Sequence, residues 1–241
     1  MAAIVSLQNV VKDYSLGKVV VHALRGISLE VQPGEFLSIA GPSGSGKTTL
    51  LNLIGCVDVP TAGTVRVAGE DTSKLSERAL TDLRLHKLGF IFQSFNLVTV
   101  LSVFQNVEFP LLLQGGMTAG ERRARVEALM DQVGLRDQIS KRPNELSGGQ
   151  RQRVAVARAL VTKPQIVLAD EPTANLDSVT GQNIIDLMKE LNRTQGTTFI
   201  FSTHDPKVMN SASAIVKVAD GQFLERSGSV SASTAPLAVS H

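Results

Sequence analysis

The run FLSIAGPSGSGKT, from Phe36 to Thr48, constrains this chain more than any other stretch. A short apolar segment, Phe36–Ala40, ends in a glycine-rich turn, and Leu50, Leu51, Leu53 and Ile54 then recur with helical spacing. That pattern predicts a buried strand, a tight loop and a helix, in that order. Residues 41–48 also fit the spacing G-x-x-x-x-G-K-[ST]. Glycine lets the backbone curl until successive N–H groups converge on phosphate oxygens. The following helix adds the positive end of its dipole. Gly41, Pro42, Ser43, Gly44, Ser45, Gly46, Lys47, Thr48 and Thr49 are therefore candidate nucleotide-binding residues. Lys47 is expected to reach the β- and γ-phosphates, and the Thr48 hydroxyl to ligate Mg2+.

Two later strings extend this chemistry. QIVLADEP is an apolar strand ending in two carboxylates, Asp170 and Glu171. Beside a phosphate loop, Asp170 is suited to hold Mg2+. Glu171 is suited to act as general base on an attacking water. LSGGQ precedes the helical run RQRVAVARAL. Ser147 is a good N-cap, Gly148 and Gly149 permit close backbone approach to an anion, and Gln150 completes the string.

The rest of the chain reads as a mostly parallel α/β core with a helical insert. Ile4, Leu7 and Val10, residues 19–23, and Ile27, Leu29 and Val31 suggest strands ahead of a Pro33-Gly34 turn. Further strands are expected at 65–68, 89–92, 166–169 and 198–202. A closing hairpin of 214–218 and 222–224 is expected around Asp220-Gly221. Helical periodicity appears at 76–86, 121–133, 150–161 and 178–193. Strand pattern is almost absent between Val107 and residue 162, so the insert is placed at about 94–162 of a single domain spanning 1–226. Residues 227–241 are small and polar without periodicity and are expected to form a disordered tail.

Composition excludes several classes. The 241 residues carry 24 Lys+Arg against 22 Asp+Glu, a net charge of +2, which favours neither a nucleic-acid sleeve nor a polybasic membrane anchor. A single cysteine, Cys56, excludes an internal disulfide and a cysteine-rich zinc site, and reads as a small core filler. The N-terminus has no basic leader followed by a long apolar core. The apolar stretch 90–113 is broken by polar residues and Pro110, against the roughly 20 unbroken residues of a membrane span. A soluble cytoplasmic polypeptide is expected.

The three motifs together, residues 41–48, 146–150 and Asp170-Glu171, resemble the nucleotide-binding subunits of ABC transporters over about residues 4–225. The resemblance implies a P-loop NTPase (RecA-like) core carrying an antiparallel β subdomain and an inserted α-helical subdomain. It also implies further site residues. Gln93 matches the glutamine that touches Mg2+ and water, Asp177 an aspartate at a dimer interface, and His204 a histidine contacting the γ-phosphate. Tyr14 falls where the family stacks an aromatic on adenine. An ATP-hydrolysing homodimer is implied, closing around two ATPs and held to the inner membrane face by a separate permease.

Within the family, VVVHALRGISLEV, GFIFQSFNLV, NVEFPLLL and ADEPTANLDSVTG resemble the lipoprotein-release, macrolide-export and cell-division group. That group suggests export or release of lipoprotein, lipid, peptide or drug, or force transmission to a membrane partner without cargo. Ser102 and Gln105 stand where threonine and glutamate are expected. DNA-associated ATPases share the motifs but bring long heptad inserts or zinc cysteines, so no nucleic-acid partner is expected. The apolar connection after Gln93 is expected to pack partly on the helical insert. Exposed members of residues 95–101 are expected to dock the membrane partner.

Overall fold

The computed structural model describes residues 2–17 and 19–228. Six strands form the main sheet, in the order β10 (Gln222–Gly228), β9 (Ala214–Ala219), β3 (Phe36–Ala40), β8 (Thr198–Thr203), β7 (Ile166–Ala169) and β6 (Leu88–Ile91). All pairings are parallel except β9 with β10. A second, antiparallel sheet has the order β2 (Val19–Val31), β1 (Val5–Leu16), β4 (Ala62–Val67) and β5 (Glu70–Asp71).

The parallel sheet divides the apolar interior. Side chains alternate between the faces of a strand, so neighbours in sequence enter different layers. Phe36, Val167, Phe199 and Phe201 join one core with α5 (Gly148–Leu160) and α6 (Ser178–Gln195). Leu37, Ile39, Leu168 and Ile200 join the other, shared with α1 (Lys47–Ile54) and the antiparallel sheet. Burial on both faces explains why all five residues of β3 are buried and read as an unbroken run.

Caps set the helix starts. α2 (Glu77–Lys87) begins at Ser76, whose hydroxyl accepts from the Ala79 amide. Thr118 caps α4 (Ala119–Gln132) and makes reciprocal bonds with Glu121. Ser102 and Gln105, the two departures from the expected family pattern, form a complete capping box that starts α3 (Val103–Gln114). They therefore do the mechanical work that threonine and glutamate would do. Sequence periodicity does not reveal α3. Pro110 sits inside it, and apolar residues occur all round, with Val107 and Leu111 buried and Phe109, Leu112 and Leu113 exposed. Buried Asn106 holds the preceding loop, bonding Val98, Leu101 and Ser102.

Helices α3, α4 and α5 all lie between β6 and β7 along the chain. The two segments expected near 19–23 and 27–31 are one continuous strand, β2, paired along β1. The closing hairpin has a two-residue loop, with φ of 49° at Asp220 and 73° at Gly221, the backbone a type I′ turn needs. β10 runs to Gly228, two residues beyond the expected boundary at 226. The remainder of the expected tail, 229–241, lies outside the described residues.

Cys56 is 1% exposed at the end of α1, and burial pushes its thiol up to about 11. Because the thiolate is the reactive form, the folded protein at pH 8 should react with an aromatic disulfide reagent roughly a hundredfold more slowly than the denatured protein. Equal rates before and after denaturation would show that Cys56 is accessible.

Candidate nucleotide site

The glycine loop lies between β3 and α1 as the strand–turn–helix pattern requires. Its shape is held from behind by the closing hairpin. A Cβ at Gly41 would sit 2.1 Å from the Val218 carbonyl oxygen, and the Gly221 amide donates to the Ser45 carbonyl at 3.1 Å. Gly44 and Gly46 take φ of 78° and 100°. α1 opens on Gly46 without a side-chain cap, leaving its first amides for an anion. The buried Ser45 hydroxyl has no protein partner, and a phosphate oxygen would satisfy it. Lys47 is buried, its ammonium donating to the Gly41 and Pro42 carbonyls at 2.8 Å each.

A chain of hydrogen bonds joins this loop to the strand ends opposite. Thr48 Oγ1 donates to Asp170 Oδ2 at 3.0 Å. Ser202 Oγ donates to Asp170 Oδ1 at 2.6 Å and accepts from the Glu171 amide at 2.9 Å. His204 Nδ1 lies 2.9 Å from Glu171 Oε1, and since an ionised carboxylate only accepts, Nδ1 carries the proton in this contact. Glu171 itself takes a left-handed φ of 46°, uncommon for a non-glycine residue and concentrated at functional sites. Lys47, Thr48, Thr49, Gln93, Asp170, Glu171 and His204 share one cavity of about 670 Å³ with the glycine loop. The Gln93 carbonyl accepts from Asn175 Nδ2 at 2.9 Å.

Other expected residues form a separate cluster. Ser147 Oγ accepts from the Gln150 amide at 3.3 Å, while its own amide donates to Gln150 Oε1 at 2.9 Å. Asp177 caps α6, its Oδ1 accepting from the Val179 and Thr180 amides, and the Thr180 hydroxyl together with those bonds holds its carboxyl below the ordinary range. A Cβ at Gly149 would meet Thr180 Cγ2 at 2.5 Å, and one at Gly148 would meet Leu176 Cδ2 at 3.3 Å. Ser147, Gly148, Gly149, Gln150 and Asp177 are thus packed together, and none of them lines the cavity that holds Lys47. Tyr14 is not a lining residue either. Its hydroxyl is tied to Asp58.

Four contributors escaped the sequence reading. Ser202 is a buried hydroxyl in an apolar strand, a detectable but weak signal. His22 and Val21 on β2 line the cavity from the antiparallel sheet. Arg158 on α5 donates to the carbonyls of Phe95, at 2.9 Å, and Asn96. Those two residues are left-handed, with φ of 61° and 47°, so α5 holds the turn two residues beyond Gln93. Nothing in the local sequence announces a contact across that separation.

The oxygen set fits a small hard cation. Among the described residues no group of three or more His, Cys, Asp or Glu side chains could hold a metal. Mg2+ asks for less, one or two protein oxygens beside phosphate oxygens and water. Thr48 and Asp170 supply that pair.

A family model described as ABC transporter matches residues 24–174. The chain belongs to the ABC transporter family. It is an ABC ATPase domain, and its close relatives agree. An uncharacterised ABC transporter ATP-binding protein of Thermotoga maritima is 47% identical over 95% of this chain and 98% of its own length. The macrolide export ATP-binding/permease protein MacB of Syntrophobacter fumaroxidans is 45% identical over 94% of this chain, which spans only 32% of MacB. The dimeric structure of a post-hydrolysis state of the cassette MJ0796, from Methanocaldococcus jannaschii, bound to ADP and Pi, is 44% identical with a TM-score of 0.86. That match covers 93% of this ABC ATPase and 98% of the solved chain.

Proposed function

We propose that two copies of this ATPase domain close around two ATPs and so drive a separate membrane permease, exporting or releasing a lipoprotein, lipid, peptide or drug. The observation that carries this reading is the split of the site. The phosphate loop and its carboxylates line one cavity, while Ser147–Gln150 lie apart with Asp177. A second copy of the chain would bring its own Ser147 and the glycine-started α5 to the γ-phosphate. The dimeric form of MJ0796 supports the pairing.

Within one cavity the roles follow from the contacts. Thr48 and Asp170, with the Gln93 side chain, would hold Mg2+, which neutralises phosphate charge when bound. Ser202 fixes Asp170 and the Glu171 backbone together. One Glu171 oxygen is engaged by His204, leaving the other to accept the proton of a water attacking the γ-phosphorus. The bond to the bridging oxygen then breaks, giving ADP and phosphate. His204, which lines the same cavity, would also meet the γ-phosphate, and Tyr14 would offer its ring to adenine.

Among the described residues no helix is long and apolar enough to cross a membrane. The reading therefore puts the chain on the inner membrane face through its permease. MacB, named for ATP-binding and permease functions in one protein, supports such a pairing. Of the connection at 95–101, Val98 and Val100 are exposed, at 42% and 73%, whereas Phe95, Leu97 and Leu101 are half-buried. The connection adjoins an apolar groove of about 360 Å³ between α2, β6, α3 and α5, lined by Leu85, Phe90, Phe92, Pro110 and Arg158. Leu113, three residues from Pro110 and 58% exposed, extends that surface. Reconstituted with the permease, Val100→Asp and Leu113→Asp should lose partner-stimulated turnover while hydrolysis by the free chain stays within about twofold, since neither touches a core. Normal binding and stimulation in both variants would place the docking surface elsewhere.

A further inference from the structure

Tyr14 stands directly opposite Val21 in the antiparallel ladder of β1 and β2. Opposed residues project from the same sheet face, and Val21 lines the nucleotide cavity. Tyr14 therefore faces the same side of the sheet as that lining residue, just outside the cavity, and Thr49, another lining residue, acts on its phenol.

The ring is fixed by a cluster that no motif contains. Tyr14 Oη donates to Asp58 Oδ2 at 2.8 Å. Lys12 Nζ donates to Asp58 Oδ1 at 2.6 Å and to the Val59 carbonyl at 2.9 Å. The same ammonium lies 4.9 Å from the centroid of the Tyr14 ring. It covers one face as a cation–π partner and leaves one face for a planar ligand. Burial works against the Asp58 charge, but bonds from Lys12, Tyr14 and the Val59 amide outweigh it and hold the carboxyl below its ordinary range. Burial, then the bond to Asp58, raises the Tyr14 phenol, so its hydroxyl remains a donor at neutral pH.

We propose that Asp58 and Lys12 are positioning residues for the purine base of the nucleotide, locking the Tyr14 ring so that a single free face meets the base. The inference rests on Tyr14 as the base platform. A free tyrosine ring samples several rotamers, and ordering it on binding costs affinity. Tethering the hydroxyl at the far end of the ring removes that cost in advance.

The test compares ATP with inorganic tripolyphosphate, which carries the phosphates and no base. Tyr14→Ala should weaken ATP binding about tenfold, the scale of base–aromatic stacking, and leave tripolyphosphate unchanged. Tyr14→Phe keeps the ring but loses the tether, and it should weaken ATP about threefold, as should Asp58→Ala. In both, KM rises and kcat stays within about twofold. Added to Tyr14→Ala, Asp58→Ala should have no further effect, because no ring is left to position. If Tyr14→Ala weakens ATP while Tyr14→Phe and Asp58→Ala bind it as the parent does, the platform stands and the inference falls. Equal loss of ATP and tripolyphosphate in Asp58→Ala would mark a general disturbance of the loop and also overturn it. Parent-like ATP binding by Tyr14→Ala would remove the platform itself and the inference with it.

Discussion

Glu171→Gln should lower steady-state ATP hydrolysis by at least about a hundredfold, the span of a lost general base, while ATP affinity stays within about threefold. The amide keeps the size of the carboxylate and an oxygen that can accept from His204 Nδ1. It also tolerates the left-handed backbone no worse than glutamate does, so the φ of 46° adds no penalty to the exchange. What it lacks is an oxygen basic enough to take a proton from water. Chain closure without hydrolysis should then trap an ATP-bound dimer, visible as a shift in size-exclusion elution that appears only with ATP. Near-normal turnover would remove Glu171 from the role of base.

Ser147→Arg should silence the homodimer to a similar degree, on the scale of a lost donor group at a reacting phosphate. The substitution removes the cap of α5, worth about 1 kcal/mol, and places a long side chain where a second copy's phosphate would sit. Lys47→Ala should be equally inactive, since among the described residues no other side chain makes the contacts of its ammonium to the loop carbonyls. Mixing the two variants leaves one complete site per heterodimer, formed by Lys47 of one copy and Ser147 of the other. Recovery of hydrolysis in the isolated heterodimer is the expected result. A fully active Ser147→Arg homodimer would exclude the shared site.

The elements that carry the chemistry are the ones the sequence announces most clearly. Strand, glycine loop and helix at residues 36–54, the carboxylates after β7, and the cap at Ser147 are all local patterns, each complete within about twenty residues. The closing hairpin is legible for the same reason, because Asp220-Gly221 fits one turn type. Features built from distant partners are not. Ser202 ties Asp170 to Glu171 across 32 and 31 residues, and Arg158 reaches Phe95 and Asn96 across more than sixty. α3 is hidden by composition, because Pro110 and an apolar surface on several sides mask the helical period. Its exposed half belongs to the surface proposed to dock the permease. The connection at 95–101 is opaque for a related reason. An apolar connection gives no sign of which side chains face inward, and here Leu97 packs on the core while Val100 does not.

The alternation along β3 ties the glycine loop to parity. Phe36 belongs to one apolar layer and Leu37 and Ile39 to the other, and Gly41 arrives against the Val218 carbonyl two residues after Ile39. Inserting or deleting one residue within the strand would exchange the two sets of side chains. With the loop held in place it would put phenylalanine into the layer beneath the antiparallel sheet, and with the strand start held it would carry a side-chain-bearing residue to the carbonyl that only glycine can approach. Length changes of a single residue are therefore closed to this segment, while conservative exchanges of apolar side chains remain open. The place of the phosphate loop is in this sense counted out, odd and even, from the first residue of the strand that leads to it.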